Sequence, residues 1–279
     1  MRQPRLLFTL ALALALLAGC ASLERKQGQW IFQPSDSSWG DSAQAAQGMD
    51  EVWISFESRQ SGRPVKLHAL WLAASAGAES APVMLYLHGA RWNVTGSAPR
   101  IRRMQELGFS VLAVDYRGFG KSDATTPSEA LALEDAHAAW DWLAQRHPAQ
   151  RRFIFGHSLG GAIAIELASR VTDESGTIVE GTFTSIPDVV GSMKWGWLPV
   201  GPLITQHFDA LHRVSAIGSP LLVVHGSQDR LSDPELGRRL HAAALDPKRF
   251  VLVEGGSHYN TNALGQAQYR QALAELFKL

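Results

Sequence analysis

Short runs of consecutive apolar residues alternate along this chain with longer stretches in which apolar residues recur at helical spacing. The runs predict strands and the longer stretches predict helices, because a strand buried on both faces is apolar throughout whereas a surface helix keeps one apolar stripe. In chain order the predicted elements are an early strand, strands at 65–72 and 83–87, a helix at 99–107, a strand at 110–114, a helix at 127–146, a strand at 153–155 with a following helix, and strands at 177–180, 221–225 and 249–253, the last two each with a helix. This alternation predicts a mostly parallel, doubly wound α/β sheet flanked by helices, in which the first strands can be antiparallel.

The segment 182–219 interrupts the alternation between the sixth and seventh strands. It contains several large apolar residues, namely Trp195, Trp197, Leu198, Pro199, Pro202, Leu203 and Ile204. Such side chains can line a pocket for an apolar ligand, or they can simply pack against the domain. The sequence favours neither interpretation.

The pentapeptide GHSLG at residues 156–160 lies between the strand at 153–155 and a helix-like stretch. This context is typical of a nucleophile elbow, a sharp turn that holds a serine side chain out toward a substrate. The flanking glycines tolerate the strained backbone, and the N-terminus of the following helix favours developing negative charge. The alternative is an ordinary glycine-rich connection, which the strand before and the helix after argue against. Ser158 is therefore the candidate nucleophile.

A serine nucleophile needs a base and an orienting carboxylate, which come after it in the order acid, then histidine, in hydrolases of this architecture. Asp229 lies in the loop after the strand 221–225, and His258 lies in the loop after the strand 249–253. Both loops leave the carboxyl ends of their strands, which is where open α/β sheets place their sites. We expect Ser158, Asp229 and His258 to form a catalytic triad.

Each assignment has an alternative. Asp229 could be a turn former, while nearby Asp233, before Pro234, is more typical of a helix N-cap. His258 is the one histidine, of ten in the chain, that comes after the last predicted strand. His157 adjoins Ser158 and would have to fold back to act as its base, so we interpret it as structural or pocket-lining.

Acyl transfer also needs backbone N–H donors for the oxyanion of the tetrahedral intermediate. One donor is expected from Leu159, the residue after the nucleophile, and the other from the loop after the third strand. Ala90 is the candidate in that loop, with Gly89 allowing a close approach. The alternative is that residues 88–89 merely end the strand.

Five strings together resemble the BEM46-type branch of the α/β-hydrolase superfamily: YLHG at 86–89, DYRGFGKS at 115–122, the elbow, HGSQD at 225–229 and GGSH at 255–258. The resemblance covers the chain from about residue 52 to its C-terminus. It implies an α/β-hydrolase fold, a small cap at 182–219, and a serine hydrolase acting on acyl esters, thioesters or lipids. One departure is ARWN at 90–93, where the family usually has asparagine followed by alanine or glycine; this keeps the backbone donor but changes the mouth of the site.

Cofactor chemistry is not indicated. The string GKS at 120–122 resembles the end of a phosphate-binding loop, but such a loop needs a glycine where this chain has Asp115. We expect Asp115 and Arg117 instead to join a loop hydrogen-bond network. The chain has one cysteine and no HExxH motif or carboxylate cluster, so we predict an enzyme without a metal or cofactor.

The N-terminus resembles a targeting signal. Arg2 and Arg5 precede an apolar run at 6–17, too short for a comfortable membrane span, which ends in LAGC at 17–20. This order resembles a bacterial lipobox, which implies that Cys20 is acylated and becomes the first residue of the mature protein. Ala21 after it resembles a signal for delivery to the outer membrane, facing the periplasm. A plain signal peptide with an accidental cysteine is the alternative.

The predicted organisation is a lipoprotein signal peptide at 1–19, a lipidated N-terminus and polar tether at 20–50, and one hydrolase domain at 51–279. Within the tether, residues 30–32 are apolar enough that we expect them to pack on the domain. With 26 basic and 26 acidic residues, the chain has no net charge that favours nucleic acid. Arg100, Arg102 and Arg103 are expected to form a solvated helix face.

The favoured interpretation is a serine hydrolase for a small acyl ester or thioester, attached to a membrane by a lipid at Cys20. A catalytically idle, lipid-anchored binding or scaffold protein on the same fold is the second possibility, since fold does not imply function. A serine peptidase for short peptides is a third, because the same triad cleaves amides. Ser158 excludes a dehalogenase, which would need a carboxylate at the elbow.

Overall fold

The structure, a computed structural model, describes residues 19, 22–35, 41–192 and 201–279. Within these ranges eight strands form one sheet in the spatial order β1-β2-β4-β3-β5-β6-β7-β8. The strands are β1 Asp50–Glu57, β2 Pro64–Leu72, β3 Val83–Leu87, β4 Ser110–Val114, β5 Arg152–His157, β6 Gly176–Glu180, β7 Leu221–Gly226 and β8 Lys248–Val253. The predicted strand positions are confirmed to within a few residues.

The sheet is antiparallel at one edge and parallel elsewhere. Strand β2 pairs antiparallel with both β1 and β4, and every pair from β4 to β8 is parallel. The carboxyl ends of the parallel strands therefore lie along one edge of the sheet, as an open α/β architecture requires.

Helices cover both faces of the sheet. They are α1 at residues 22–32, α2 Ser42–Ala45, α3 Ala98–Glu106, α4 Glu129–Arg146, α5 Leu159–Ala168, α6 Ile186–Ser192, α7 Ala210–Arg213, α8 Pro234–Ala243, α9 Thr261–Leu264 and α10 Gln266–Ala272. None of the helices in the described ranges is long and apolar enough to cross a membrane.

Strand β3 shows why the strands are apolar throughout. Its residues are all buried, and they alternate between the two faces: Leu85 and Leu87 join a core with α4 and α5, whereas Met84 and Tyr86 join a second core with α3 and α10. A strand covered on both faces has no solvent-facing side, so polar alternation is absent.

Two helix starts are set by capping side chains. The Ser128 hydroxyl accepts a hydrogen bond from the Leu131 N–H at the start of α4, two residues later than the predicted start at 127. Asp233 accepts from the Glu235 N–H, with Pro234 in the first turn of α8. The prediction that Asp233 is an N-cap is confirmed.

The predicted tether contains regular structure. Residues 22–32 form α1, in which Ile31 and Phe32 are buried as expected, but Trp30 is 53% exposed, so the prediction that it packs on the domain was wrong. A helix of this kind is stabilised by packing one apolar face rather than by its propensity, and its short apolar stripe is hard to recognise in a polar stretch.

The segment 182–219 contains α6, α7 and short 3₁₀ turns between β6 and β7, which is the position expected for a cap. Ile204 is half-buried against the core, but Leu203 is 59% exposed, so the apolar residues of this segment do not all pack on the domain. Trp195, Trp197, Leu198 and Pro199 lie outside the described residues, as does the Pro202 side chain.

Candidate active site

Ser158 occupies the turn between β5 and α5 in a strained conformation, with φ 55° and ψ −120°. The turn is tight: a Cβ on Gly156 would lie 2.2 Å from the Gly160 oxygen, and one on Gly160 would lie 2.1 Å from the Leu87 oxygen. Only glycine fits at both positions, and this explains the flanking glycines of the motif. The Ser158 N–H donates to the backbone carbonyl oxygen of Glu180, the last residue of β6, at 2.9 Å. This hydrogen bond fixes the turn to the sheet.

Ser158, His258 and Asp229 are brought together in one hydrogen-bonded line. His258 Nε2 lies 3.0 Å from Ser158 Oγ, and His258 Nδ1 lies 2.8 Å from Asp229 Oδ2. The other oxygen of Asp229 accepts the N–H groups of Leu231 and Ser232, each at 2.9 Å. Because Oδ1 accepts these two N–H groups of its own loop, Oδ2 faces the imidazole and accepts from His258 Nδ1.

The sheet produces this arrangement. Strands β5, β6, β7 and β8 are consecutive neighbours, and the three residues leave the carboxyl ends of β5, β7 and β8. Side chains 100 and 29 residues apart in sequence thereby meet at one edge.

The electrostatics keep Asp229 ionised. Burial alone would raise the pKa of its carboxyl, but the hydrogen bond and charge of His258 and the two backbone N–H groups together lower that pKa below its ordinary value. An ionised acceptor at Nδ1 fixes the tautomer in which Nε2 is free to take a proton from Ser158.

His157 takes no part in this line. It is buried, and its Nε2 donates to the His258 carbonyl oxygen at 3.1 Å. Burial, followed by the charge of Arg100, holds the pKa of His157 well below its ordinary value, so the ring is neutral. Its interaction supports the backbone of the His258 loop, in agreement with its interpretation as a structural residue.

The loop after β3 lies directly beside the serine. A Cβ on Gly89 would be 3.1 Å from Ser158 Cβ and 3.2 Å from the His157 oxygen. Within the described part of the chain, neither the N–H of Ala90 nor that of Leu159 donates to a protein acceptor. The arrangement thus brings two unengaged backbone donors to the elbow.

Beneath the site is an ion pair that the sequence did not reveal. Arg100 Nε donates to Glu180 Oε1 at 2.9 Å, Tyr269 donates to the other carboxylate oxygen at 2.5 Å, and Glu180 is 1% exposed. Arg100 also donates to the Tyr259 carbonyl oxygen at 3.4 Å, beside His258. The pair therefore connects α3 to β6 and to the loop that carries the histidine.

The prediction of a solvated arginine face on α3 was wrong for two of its three residues. Arg100 forms the buried pair, and Arg102 donates to the carbonyl oxygens of Ala45 and Gln47. The sequence pattern shows only that charges lie on one side of a helix. It does not show that β6 and α2 cover that side.

The expected loop network is present. Arg117 donates to the buried Asp135 at 2.7 Å and to Glu134 at 2.6 Å. Asp115 lies 3.0 Å from His68 Nδ1 and accepts the Val94 N–H at 2.8 Å. Since Val94 comes at the end of the loop after β3, Asp115 supports that loop from below.

No group of three or more histidine, cysteine or carboxylate side chains able to hold a metal occurs among residues 19, 22–35, 41–192 and 201–279. A groove of about 740 Å³ lies between β1 and α4, and none of its lining residues belongs to the triad or to the loop after β3. The absence of a cofactor stays a prediction.

Comparison with known proteins identifies relatives of this chain. A family model described as "Serine aminopeptidase, S33" matches residues 78–208. The alpha/beta hydrolase domain-containing protein WAV2 of Arabidopsis thaliana is 30% identical over 239 residues, which cover 79% of this chain and 75% of WAV2. The lysophosphatidylserine lipase ABHD12 of Macaca fascicularis is 29% identical over 224 residues, which cover 74% of this chain and 51% of ABHD12.

Among solved structures, the esterase Pf2001 of Pyrococcus furiosus is similar with a TM-score of 0.69 at 21% identity, covering 89% of this chain and 97% of the esterase. Likeness at that identity shows a shared fold. The chain belongs to the α/β-hydrolase superfamily, and the α/β-hydrolase fold expected from the sequence is confirmed.

Proposed function

We propose that this protein is a serine hydrolase that cleaves carboxylic esters or thioesters through an acyl-enzyme intermediate. The observation that carries the proposal is the position of His258, whose two ring nitrogens lie 3.0 Å from Ser158 Oγ and 2.8 Å from Asp229 Oδ2. A binding or scaffold protein has no need for a base held between a nucleophile and a carboxylate, so this geometry favours an enzyme.

In the proposed reaction, Ser158 Oγ attacks the acyl carbon while its proton passes to His258 Nε2. The oxyanion is stabilised by the N–H groups of Ala90 and Leu159, each worth about 3–4 kcal/mol of transition-state stabilisation by analogy with other hydrolases. The leaving alcohol or thiol takes the proton from Nε2. Water then attacks the acyl-enzyme with His258 again as base, which releases the acid and restores Ser158.

The mouth of the site supports an acyl rather than a peptide substrate. The rings of Trp92 and Tyr259 lie 6.2 Å apart, and Tyr259 in turn packs edge-on against His258 at 5.6 Å. Aromatic faces beside the base suit an acyl chain or an apolar leaving group. The names of two similar proteins, a lysophosphatidylserine lipase and an esterase, point the same way, whereas the description of the matching family model, a serine aminopeptidase, points to peptides.

We further propose that the protein is held at the bacterial cell envelope by a lipid on Cys20, with its domain facing the periplasm. Residues 1–18 and Cys20 lie outside the described residues, so this proposal rests on the LAGC string and the apolar run before it. An anchored enzyme would meet lipid-borne acyl esters at the membrane surface.

The proposal is tested with Ser158→Ala. Because only a hydroxyl is lost, the variant should keep its fold yet lose all labelling by a fluorophosphonate probe and its turnover of a p-nitrophenyl ester, and His258→Ala should lose about 10³-fold or more in kcat/KM. Retention of wild-type ester turnover by Ser158→Ala would exclude Ser158 as the nucleophile. An aminoacyl p-nitroanilide assayed in parallel decides between esterase and peptidase activity.

A further inference from the structure

The loop after β3 is held from outside by residues 27–34, which we call the brace. The Arg91 N–H donates to the Phe32 carbonyl oxygen at 2.7 Å, and Arg91 Nε donates to Gln33 Oε1 at 3.0 Å. Pro34 forms a parallel β-bridge with Trp92. The brace thus contacts the two residues that come directly after Ala90.

Those two residues are in an unfavourable conformation. Arg91 has φ 68° and Trp92 has φ 56°, and consecutive non-glycine residues rarely adopt the left-handed region. Such strain persists only where surrounding contacts fix it, and it concentrates at functional sites. The brace supplies contacts of this kind, so the direction of the Ala90 N–H depends on it.

The ends of the loop are fixed differently. His88 is held from the body by Tyr116, whose hydroxyl donates to the His88 carbonyl oxygen at 3.1 Å, and Val94 is held by Asp115 at 2.8 Å. Contacts with the loop after β4, which contains Asp115 and Tyr116, therefore fix the start and the end of the loop after β3. The brace fixes its middle, where the oxyanion donor lies.

The brace is itself fixed to the domain and to the cap. Phe32 is fully buried, with its ring 6.1 Å from that of Phe119 and 5.7 Å from that of Phe208. The Gln27 amide donates to the Leu203 carbonyl oxygen at 2.6 Å and accepts the Thr205 N–H at 2.8 Å. One short segment thereby contacts the loop after β3 and the cap together.

We propose that residues 27–34 are a positioning element of the active site, which holds the N–H of Ala90 toward the oxyanion. The inference rests on the proposed function, because an oxyanion forms only if the protein transfers acyl groups. It assigns a catalytic consequence to a stretch of chain that lies outside the sheet and more than 50 residues before the loop it supports.

Two variants of the full-length protein test this role. A Cβ on Gly28 would lie 2.3 Å from the Pro127 carbonyl oxygen, so Gly28→Ala must displace α1 from the segment that contains Pro127. Gln33→Ala removes the hydrogen bond to Arg91 without a steric clash. Lys26→Ala is the matched control, because Lys26 lies on the same helix just before the brace and has an exposed side chain.

We expect Gly28→Ala to lower kcat on a soluble short-chain ester by roughly 10–100-fold, since a displacement of about 1 Å at an oxyanion donor can cost that much. Gln33→Ala should lower kcat by several-fold, and Lys26→Ala should match the wild type. KM should stay within about twofold in all three, whereas the Ki of a trifluoromethyl ketone, whose adduct carries an oxyanion, should rise in step with the loss of kcat.

The rates are expressed per serine that reacts at the end point with a fluorophosphonate, so that unfolded protein does not count. A purely structural role would reduce the number of reactive serines and leave kcat and Ki unchanged, which would overturn the proposal. If Gly28→Ala does not fold, an unchanged kcat and Ki in Gln33→Ala would overturn it equally. Wild-type protein without ester turnover would instead contradict the proposed function.

Discussion

Asp229 and Asp233 lie four residues apart in one loop, yet their partners give them different roles. Asp229 uses one oxygen for the Leu231 and Ser232 N–H groups and the other for His258. Asp233 accepts the Glu235 N–H and starts α8. Their roles therefore follow from the groups that their carboxylate oxygens contact, rather than from their positions along the chain.

The first prediction compares Asp229→Asn with Asp233→Asn. In Asp229→Asn the Oδ1 contacts survive, but an NH₂ replaces the acceptor at His258 Nδ1 and stabilises the wrong imidazole tautomer, so kcat/KM should fall about 10⁴-fold. Asp233→Asn should stay within a few-fold of the wild type, because asparagine is as good an N-cap as aspartate. Steady-state kinetics on a p-nitrophenyl ester check both, and equal losses would remove Asp229 from the triad.

At the residue scale, the sequence predicts best the residues that come directly after a strand. Ser158, Asp229 and His258 each lie just beyond an apolar run, so the sheet's carboxyl edge could be inferred before any contact was known. The Arg100–Glu180 pair could not be, because the two residues are 80 positions apart and a helical arginine is exposed by default. The left-handed conformation of Arg91 and Trp92 could not be predicted either, since neither is a residue type that favours that conformation.

At the scale of elements, Arg100 joins three pieces of the site. It extends from α3 to the carboxylate of Glu180 at the end of β6 and to the Tyr259 carbonyl oxygen in the His258 loop. The backbone carbonyl oxygen of the same Glu180 accepts the Ser158 N–H. Breaking a buried pair on one side leaves an uncompensated charge, which costs far more than the pair contributes.

The second prediction is that Arg100→Met lowers the free energy of unfolding by about 3–5 kcal/mol, because Glu180 keeps only Tyr269 as a side-chain partner among the described residues. The double variant Arg100→Met/Glu180→Gln should recover much of this loss, since the orphaned charge is gone. Arg213→Met is the control: Arg213 is 54% exposed in its pair with Glu166, and such surface pairs contribute at most about 1 kcal/mol. Urea denaturation measures all three, and similar losses for Arg100→Met and Arg213→Met would contradict the prediction.

The elements outside the sheet were harder to predict than those within it. Each buried strand is a run of apolar residues, and each long helix has a stripe, but α1 buries little more than Ile31 and Phe32 in a polar stretch. Its position is set by contacts with residues 91 and 203–208, far along the chain. Tertiary contacts of that kind leave no periodic signal in the sequence.

At the scale of the whole molecule, α1 connects the candidate lipid anchor to the active site. The eleven described residues of α1 at 22–32 span about 16 Å at 1.5 Å per residue, and Cys20 is two positions before the first of them along the chain. Two residues in any conformation span at most about 7 Å. A lipid on Cys20 would therefore hold the brace, and with it the rim of the active site, within a few tens of ångströms of the membrane surface.

The third prediction rests on this geometry. Cys20→Ser should release the protein from the membrane fraction, because a diacyl anchor buries many methylene groups at about 0.8 kcal/mol each and the variant lacks it. Its kcat on a soluble short-chain ester should equal that of the detergent-extracted wild type, since α1 and the brace remain intact. Its rate on an acyl ester embedded in vesicles should fall, because the enzyme no longer shares a surface with its substrate. Fractionation, mass spectrometry of the N-terminal peptide and the two assays check these points together.

Wild-type protein in the soluble fraction with an unmodified Cys20 peptide would contradict the lipid anchor. It would leave the hydrolase proposal standing, because the soluble-ester assay tests that proposal independently.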